Sequence, residues 1–120
     1  MKILTGKKQE LGTKGENLAV SYLLEKGFRI IARNFRCRLG EIDIIAQKGD
    51  YLVFVEVRTR SSRAYGLAQE SISRAKVNKL RQLAEFYLAG HPRQGLFIRF
   101  DVVAVDWFAG AEITHIENAF

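Results

Sequence analysis

Apolar positions Leu18, Ala19, Tyr22 and Leu23, closed by Lys26, recur near every 3.6 residues, the period of an amphipathic helix. Thr13 carries an N-cap side chain and Glu16 follows three residues later, the spacing of a capping box. A helix is therefore predicted over 13–26, with Gly27 as the glycine that ends it. Residues 1–10 read as a basic N-terminal arm ahead of a single domain over 11–120. The period then shortens to two. Residues 28–35 and 40–47 read as strands. Residues 51–60 are a nearly continuous apolar run, the mark of a strand covered on both faces. Lys48-Gly49-Asp50 is a turn and 61–66 a Ser/Arg/Gly loop. A long helix is predicted over 67–89, its stripe formed by Ile72, Lys76, Leu80, Leu83, Ala84 and Tyr87, and Gly90-His91-Pro92 stops it. A fourth strand over 96–106 and a short fifth over 111–117 complete the order α-β-β-β-α-β with a last β. That is an α/β chain: a mixed central sheet of four to five strands flanked by helices.

The two middle strands carry acids among apolar residues. If Ala46 pairs with Tyr51, Asp43 faces Phe54 and Glu41 faces Glu56. Alternation then puts Glu41, Asp43, Glu56 and Arg58 on one face, with Asp43 and Glu56 diagonal neighbours in reach of a shared ion. A slip of one residue would send the two acids to opposite faces. Carboxylates are costly to bury unpaired. Mg²⁺ prefers oxygen ligands and takes one or two protein carboxylates, with waters and phosphates completing its shell. Such an ion polarises a phosphoryl oxygen and lowers the pKa of a bound water. The pair therefore points to Mg²⁺ or Mn²⁺ and to phosphodiester hydrolysis. Glu16, in line with Ala19, Val20 and Leu23, is a third candidate carboxylate beside its capping role.

Charge sharpens this. The 120 residues carry a net charge of +6, unevenly spread. Residues 1–40 hold nine Lys/Arg against three Asp/Glu, 41–57 one against four, 58–100 nine against two, and 101–120 none against four. Basic blocks on both sides of an acidic island suit a phosphate backbone, and the acids would repel it unless a cation lay between. Arg36, Arg38, Arg60, Arg63, Arg74 and Lys79 form a candidate phosphate track, or else a solvated basic face. With 48% hydrophobic and 27% charged residues the chain can build a core. The lone Cys37 excludes an intrachain disulfide and has no zinc-site partners. No signal peptide or membrane span is visible, so a cytoplasmic protein is expected. No P-loop, dinucleotide fingerprint or nucleophile elbow occurs. His91 and His115 have no ligand spacing, and Asp101 is expected to pair with a neighbouring arginine.

Gly40-Glu41-Ile42-Asp43-Ile44-Ile45, followed by Glu56-Val57-Arg58, resembles the motif of the PD-(D/E)XK nuclease superfamily. The whole chain is similar to the YraN-like family. The matching residues are Gly15-Glu16-x-x-Ala19, Arg33 to Arg38 with Gly40 to Asp43, Phe54 to Arg58 with Arg60, Lys76, and Ala84-x-x-Tyr87-Leu88. The resemblance implies a restriction-endonuclease-like three-layer fold like that of archaeal Holliday junction resolvases. It also implies metal ligation by Asp43 and Glu56, an auxiliary acid at Glu16, a DNA partner and a homodimer. The departure is Arg58, where the motif has lysine. Arginine can grip a phosphate with two N–H groups but is a poor general base. Lys76, between Ile72 and Leu80, either snorkels to solvent or reaches the acids and supplies the missing amine. The expected activity is metal-dependent endonuclease action on linear or branched DNA, with Glu16, Asp43, Glu56, Arg58 and Lys76 as site residues. The alternatives are a nucleic-acid-binding module impaired in catalysis by Arg58, and an interaction domain with its acids bridged to Arg58 and Arg60.

Overall fold

The computed structural model describes residues 2–60, 72–93, 95–107 and 110–120, with side chains from residue 11 onward. The elements are α1 (Lys2–Glu25), β1 (Arg29–Cys37), β2 (Gly40–Lys48), β3 (Tyr51–Arg60), α2 (Arg74–Gly90), β4 (Phe97–Asp106) and β5 (Glu112–Ile116). The five strands form one sheet in the order β1-β2-β3-β4-β5. Neighbours are antiparallel except β3 and β4, which run parallel because α2 carries the chain back between them. The predicted mixed α/β architecture is present, with the fifth strand.

Two apolar clusters divide the core into layers. Ala19 and Leu23 of α1 close over Ile44, Ala46, Val53, Val55 and Val103. Leu80, Leu83, Ala84 and Tyr87 of α2 close over Ile42, Ile45, Leu52 and Phe54 on the other face. β3 is the middle strand, and Leu52 to Glu56 are all buried, as its unbroken apolar run requires.

Three local expectations change. α1 begins at Lys2, so Thr13 and Glu16 lie inside the helix, and the capping-box spacing there does not mark a start. Residues 2–10, expected as an arm, are its first turns. α2 begins at Arg74: Ser73 is its N-cap, its side-chain oxygen accepting from the Lys76 amide at 3.1 Å. Ile72 therefore precedes the helix, and 67–71 fall outside the described residues. In the β2–β3 hairpin Lys48, not Ala46, faces Tyr51. Gly49, at φ +56°, allows a tight two-residue turn and shifts the register by two positions.

One glycine sets the spacing of α1 on the sheet. A Cβ on Gly15 would clash with the Thr59 side-chain oxygen of β3. Its absence lets the helix backbone press onto β3 at the residue before Glu16.

Candidate active site

β2 and β3 separate at their far end. Their ladder stops at Ile44 opposite Val55, which leaves the Val57 amide without a strand partner on that side. The Asp43 carboxylate takes its place, Oδ2 accepting from Val57 N–H at 2.8 Å. Strict alternation also fails at Asp43. Ile42 packs with the α2 cluster, whereas Ile44, two residues on, packs with the α1 cluster. On β1, Arg33 faces Ile44 and Phe35 faces Ile42, so Asn34 lies across from Asp43. Asn34 has φ +53°, a left-handed conformation that asparagine tolerates better than most residues. The kink turns Asp43 into the fork between β2 and β3.

This corrects the single-face expectation. The longer register places Asp43 level with Glu56, but the kink sends the two acids to different sides. Asp43 and Glu41 line a cleft of about 470 Å³ with Glu16, Val57 and Thr59. Glu56 follows Phe54 to the α2 side, where Lys76 Nζ lies 3.2 Å from its Oε2. Alternation along β3 carries Arg58 to that side as well. The carboxyls still meet across the fork, where Asp43 hydrogen-bonds Glu56.

The electrostatics follow from this position. Burial, then the hydrogen bond and charge of Glu56, push Asp43 up to about 8, against the pull of the Val57 amide; Glu16 adds to the rise. Glu56 Oε2 is buried with no hydrogen-bond partner, since Lys76 is at ion-pair distance but off hydrogen-bond geometry. A buried carboxylate oxygen left open in this way is costly, and it is the atom a cation would satisfy. Asp43 and Glu56 thus fit a hard divalent ion as two carboxylate oxygens in a polar fork. Among the described residues no group of three or more His, Cys, Asp or Glu forms a fuller cage.

Glu16 lines the cleft beside Asp43, and its charge adds to the rise of the Asp43 pKa. Its Oε1 accepts from Asn34 at 2.9 Å and from Arg33 at 3.2 Å. Arg33 also donates to Asn17 at 2.7 Å. From the sequence, Arg33 and Asn34 stand only among the residues that carry the family resemblance and have no assigned role; a turn-forming asparagine inside a strand was the signal that could have found them. Lys76 sits in the first turn of α2, where a cation opposes the helix dipole, and Glu56 offsets that. Arg58 is half-buried and has no ion-pair partner among the described residues.

A family model described as "Uncharacterised protein family UPF0102" matches residues 15–105. The chain belongs to that family. UPF0102 proteins of Pelotomaculum thermopropionicum, Persephonella marina and Moorella thermoacetica are similar to it. The first is 50% identical over 113 residues, covering 92% of this chain and 94% of the relative. The second is 46% identical over 109 residues, 91% of each. The third is 46% identical over 123 residues, 98% of this chain and all of the relative. The match contains Glu16, Asp43, Glu56, Arg58 and Lys76, so the fork and its lysine lie within the family's shared segment.

The basic residues behave differently from one another. Arg36 is exposed and paired with Glu41 at 2.8 Å. Arg38 and Lys79 are exposed. Arg60 grips Asp106 with two donors, at 2.6 and 3.0 Å, a carboxylate on β4 rather than either site acid. Arg63 lies outside the described residues. Asp101 has its arginine, Arg99, at 2.9 Å through both oxygens. It also meets His115 Nε2 at 2.7 Å and the Asn118 amide at 3.0 Å. His115 reaches Tyr22 of α1 through Nδ1 at 3.1 Å. Sequence reading gave His115 no role; it ties α1 to β4 and β5. No helix among the described residues is long and apolar enough to cross a membrane.

Proposed function

We propose that this UPF0102 chain is a metal-dependent nuclease that hydrolyses phosphodiester bonds of DNA, with a restriction-endonuclease-like site in which Lys76 replaces the motif lysine. The observation that carries this reading is the fork: Asp43 and Glu56 in contact, one Glu56 oxygen buried and open, and Lys76 Nζ 3.2 Å from it. Asp43 and Glu56 would hold Mg²⁺ or Mn²⁺. When bound, the ion supplies Lewis-acid polarisation of a phosphoryl oxygen and a lowered pKa for water.

The remaining steps belong to the chain. Val57 N–H fixes the Asp43 carboxylate at the fork beside Glu56. Lys76, placed by the Ser73 cap, holds its ammonium at the fork. There the ammonium orients water and can donate a proton to the leaving oxygen, a role lysine fills and arginine does not. Arg58, with five N–H donors, stabilises charge building on the phosphate. Arg33 and Asn34 fix Glu16 in the cleft beside Asp43, as an auxiliary acid. The same reading makes the protein cytoplasmic, and a two-fold branched substrate would call for a homodimer.

Cleavage of linear and branched DNA in Mg²⁺ and Mn²⁺ tests this. Asp43→Ala should abolish cleavage. Lys76→Met should lower the rate by about 10²–10⁴-fold, the usual worth of a positioned proton-transfer group, while Arg58→Ala should cost less. An unchanged rate in Asp43→Ala would sink the proposal. A second reading, a DNA-binding module without turnover, is favoured by Arg58 at the lysine position. It predicts salt-sensitive binding with no cleavage in the native chain, and cleavage appearing only in Arg58→Lys.

A further inference from the structure

On the α2 side of the sheet, beside the fork, lies a cavity of about 490 Å³ that the acid pair does not use. Its position relative to Glu56 is fixed by strand pairing. Glu56 of β3 is the register partner of Val102 of β4, and Val102 lines the cavity. The two are one strand spacing apart, about 5 Å. Paired residues on neighbouring strands point to the same face.

The lining is of two kinds. Val77, Val102 and Phe120 give it apolar walls, while Arg74, Asn78 and Arg81 supply polar groups from one side of α2. Neither arginine has an ion-pair partner among the described residues. Phe120 is the outer member of a stack. Phe54 and Phe100 lie 5.6 Å apart at 28°, and Phe100 and Phe120 5.5 Å apart at 24°. The stack runs from the core, where Phe54 is buried, out to the cavity. Stacked aromatic faces are what unstacked nucleobases bind. An asparagine offers both donor and acceptor to a base edge, and unpaired guanidinium groups suit the flanking phosphates. The volume is that of a small-ligand pocket.

The geometry points to this cavity as the receptor for one unstacked nucleobase of the strand whose phosphate lies at Glu56. The inference rests on the nuclease reading and gives it a substrate class: DNA with an unpaired nucleotide next to the phosphate at the acids. Phe120 stacks the base, Asn78 meets its edge, and Arg74 and Arg81 hold the backbone beside it. A fully paired strand must pay the cost of unstacking before it fits, and that cost is the source of selectivity.

The test uses the native chain and two variants at exposed helix positions, Asn78→Trp and Arg81→Ala. Duplexes of equal length, with and without a single-nucleotide bulge carrying 2-aminopurine, are bound in Ca²⁺ in place of Mg²⁺. Anisotropy reads binding and 2-aminopurine emission reads the base. The native chain should bind the bulged duplex at least tenfold tighter and change the emission on binding. Asn78→Trp, which fills the cavity, should bring the preference to near one and leave the emission as in free DNA. Arg81→Ala should weaken bulged binding more than duplex binding. Equal, salt-sensitive binding of both duplexes with unchanged emission would overturn the inference and leave the nuclease reading standing. So would an undiminished preference in Asn78→Trp. No binding to either duplex at low salt would overturn both.

Discussion

Asp43 does two jobs with one carboxylate. Oδ2 ends the β2–β3 ladder on Val57 N–H, and the same group lies against Glu56 in a desolvated fork. The structural job is satisfied by a neutral side chain; cation binding needs the charge. In the absence of metal the folded protein holds a proton on Asp43 up to about pH 8, whereas an ordinary aspartate gives it up near 3.8. Between those values the folded state binds more protons than the unfolded one. Metal-free stability should therefore fall as pH rises from about 4 to about 8. Asp43→Asn keeps the Val57 contact and can donate to Glu56, so thermal melts in EDTA should show this slope flattened and the variant more stable than native at pH 8. A variant with the native slope would mean that Asp43 is already ionised in the fork. The residues that make the fork were only half legible. Asp43 and Glu56 stand out as acids in apolar strands. Strict alternation, however, put them on one face, and the kink opposite Asn34 depends on a left-handed residue that no period-two pattern reveals.

At the level of elements, legibility follows how much of the signal is local. β3 could be read from end to end because every side chain from Leu52 to Val55 is buried. The stripe of α2 was equally clear at Leu80, Leu83, Ala84 and Tyr87. The start of α1 was misplaced because Thr13 and Glu16 have capping-box spacing while Glu16 spends its carboxylate on Arg33 and Asn34 of β1, a contact set by tertiary packing. Gly15 belongs to the same packing. Gly15→Ala gains about 1 kcal/mol of helix propensity but drives a methyl into Thr59, an overpacking cost of about 1–3 kcal/mol. The net change should be a loss of about 1 kcal/mol by denaturant melts, recovered in the double variant with Thr59→Ala. The Asp101 cluster ties α1, β4 and β5 in a comparable way. Burial raises the Asp101 pKa, but His115, Arg99 and the Asn118 amide together hold it below the ordinary aspartate value. With the folded pKa depressed, its stabilisation is full above the ordinary aspartate range and is lost as pH falls through the lowered value. Asp101→Asn removes the charge between Arg99 and His115, and should cost about 3–5 kcal/mol as the loss of one partner from a buried pair does. A loss under 1 kcal/mol would show that the cluster is decorative.

Over the whole molecule, net charge is legible in the sequence but its availability is not. The candidate phosphate track treats Arg36, Arg38, Arg60 and Lys79 as equivalents, yet they differ in what they can release to DNA. Arg60 is committed to Asp106 by two hydrogen bonds, and both side chains are largely buried, at 11% and 6% exposure. Arg36 shares its charge with Glu41 at the surface. Arg38 and Lys79 are exposed and have no ion-pair partner among the described residues. Counterion release counts only cations that reach phosphates, about 0.9 in the slope of log K against log salt for each. If Arg38 and Lys79 contact the backbone, Arg38→Ala and Lys79→Ala should each lower the slope by about 1 and leave the melting temperature nearly unchanged. Arg36→Ala should lower it by less, because its charge is already shared with Glu41 and less of it reaches phosphate. Arg60→Ala should behave in the opposite way. It leaves Asp106 buried and unpaired, which costs about 3–5 kcal/mol of stability, and the slope of whatever folded protein remains should hold. A fall in slope on Arg60→Ala without loss of stability would mean that the Asp106 pair opens to DNA, and the track would then cross the C-terminal ends of β3 and β4 as well as run beside the fork.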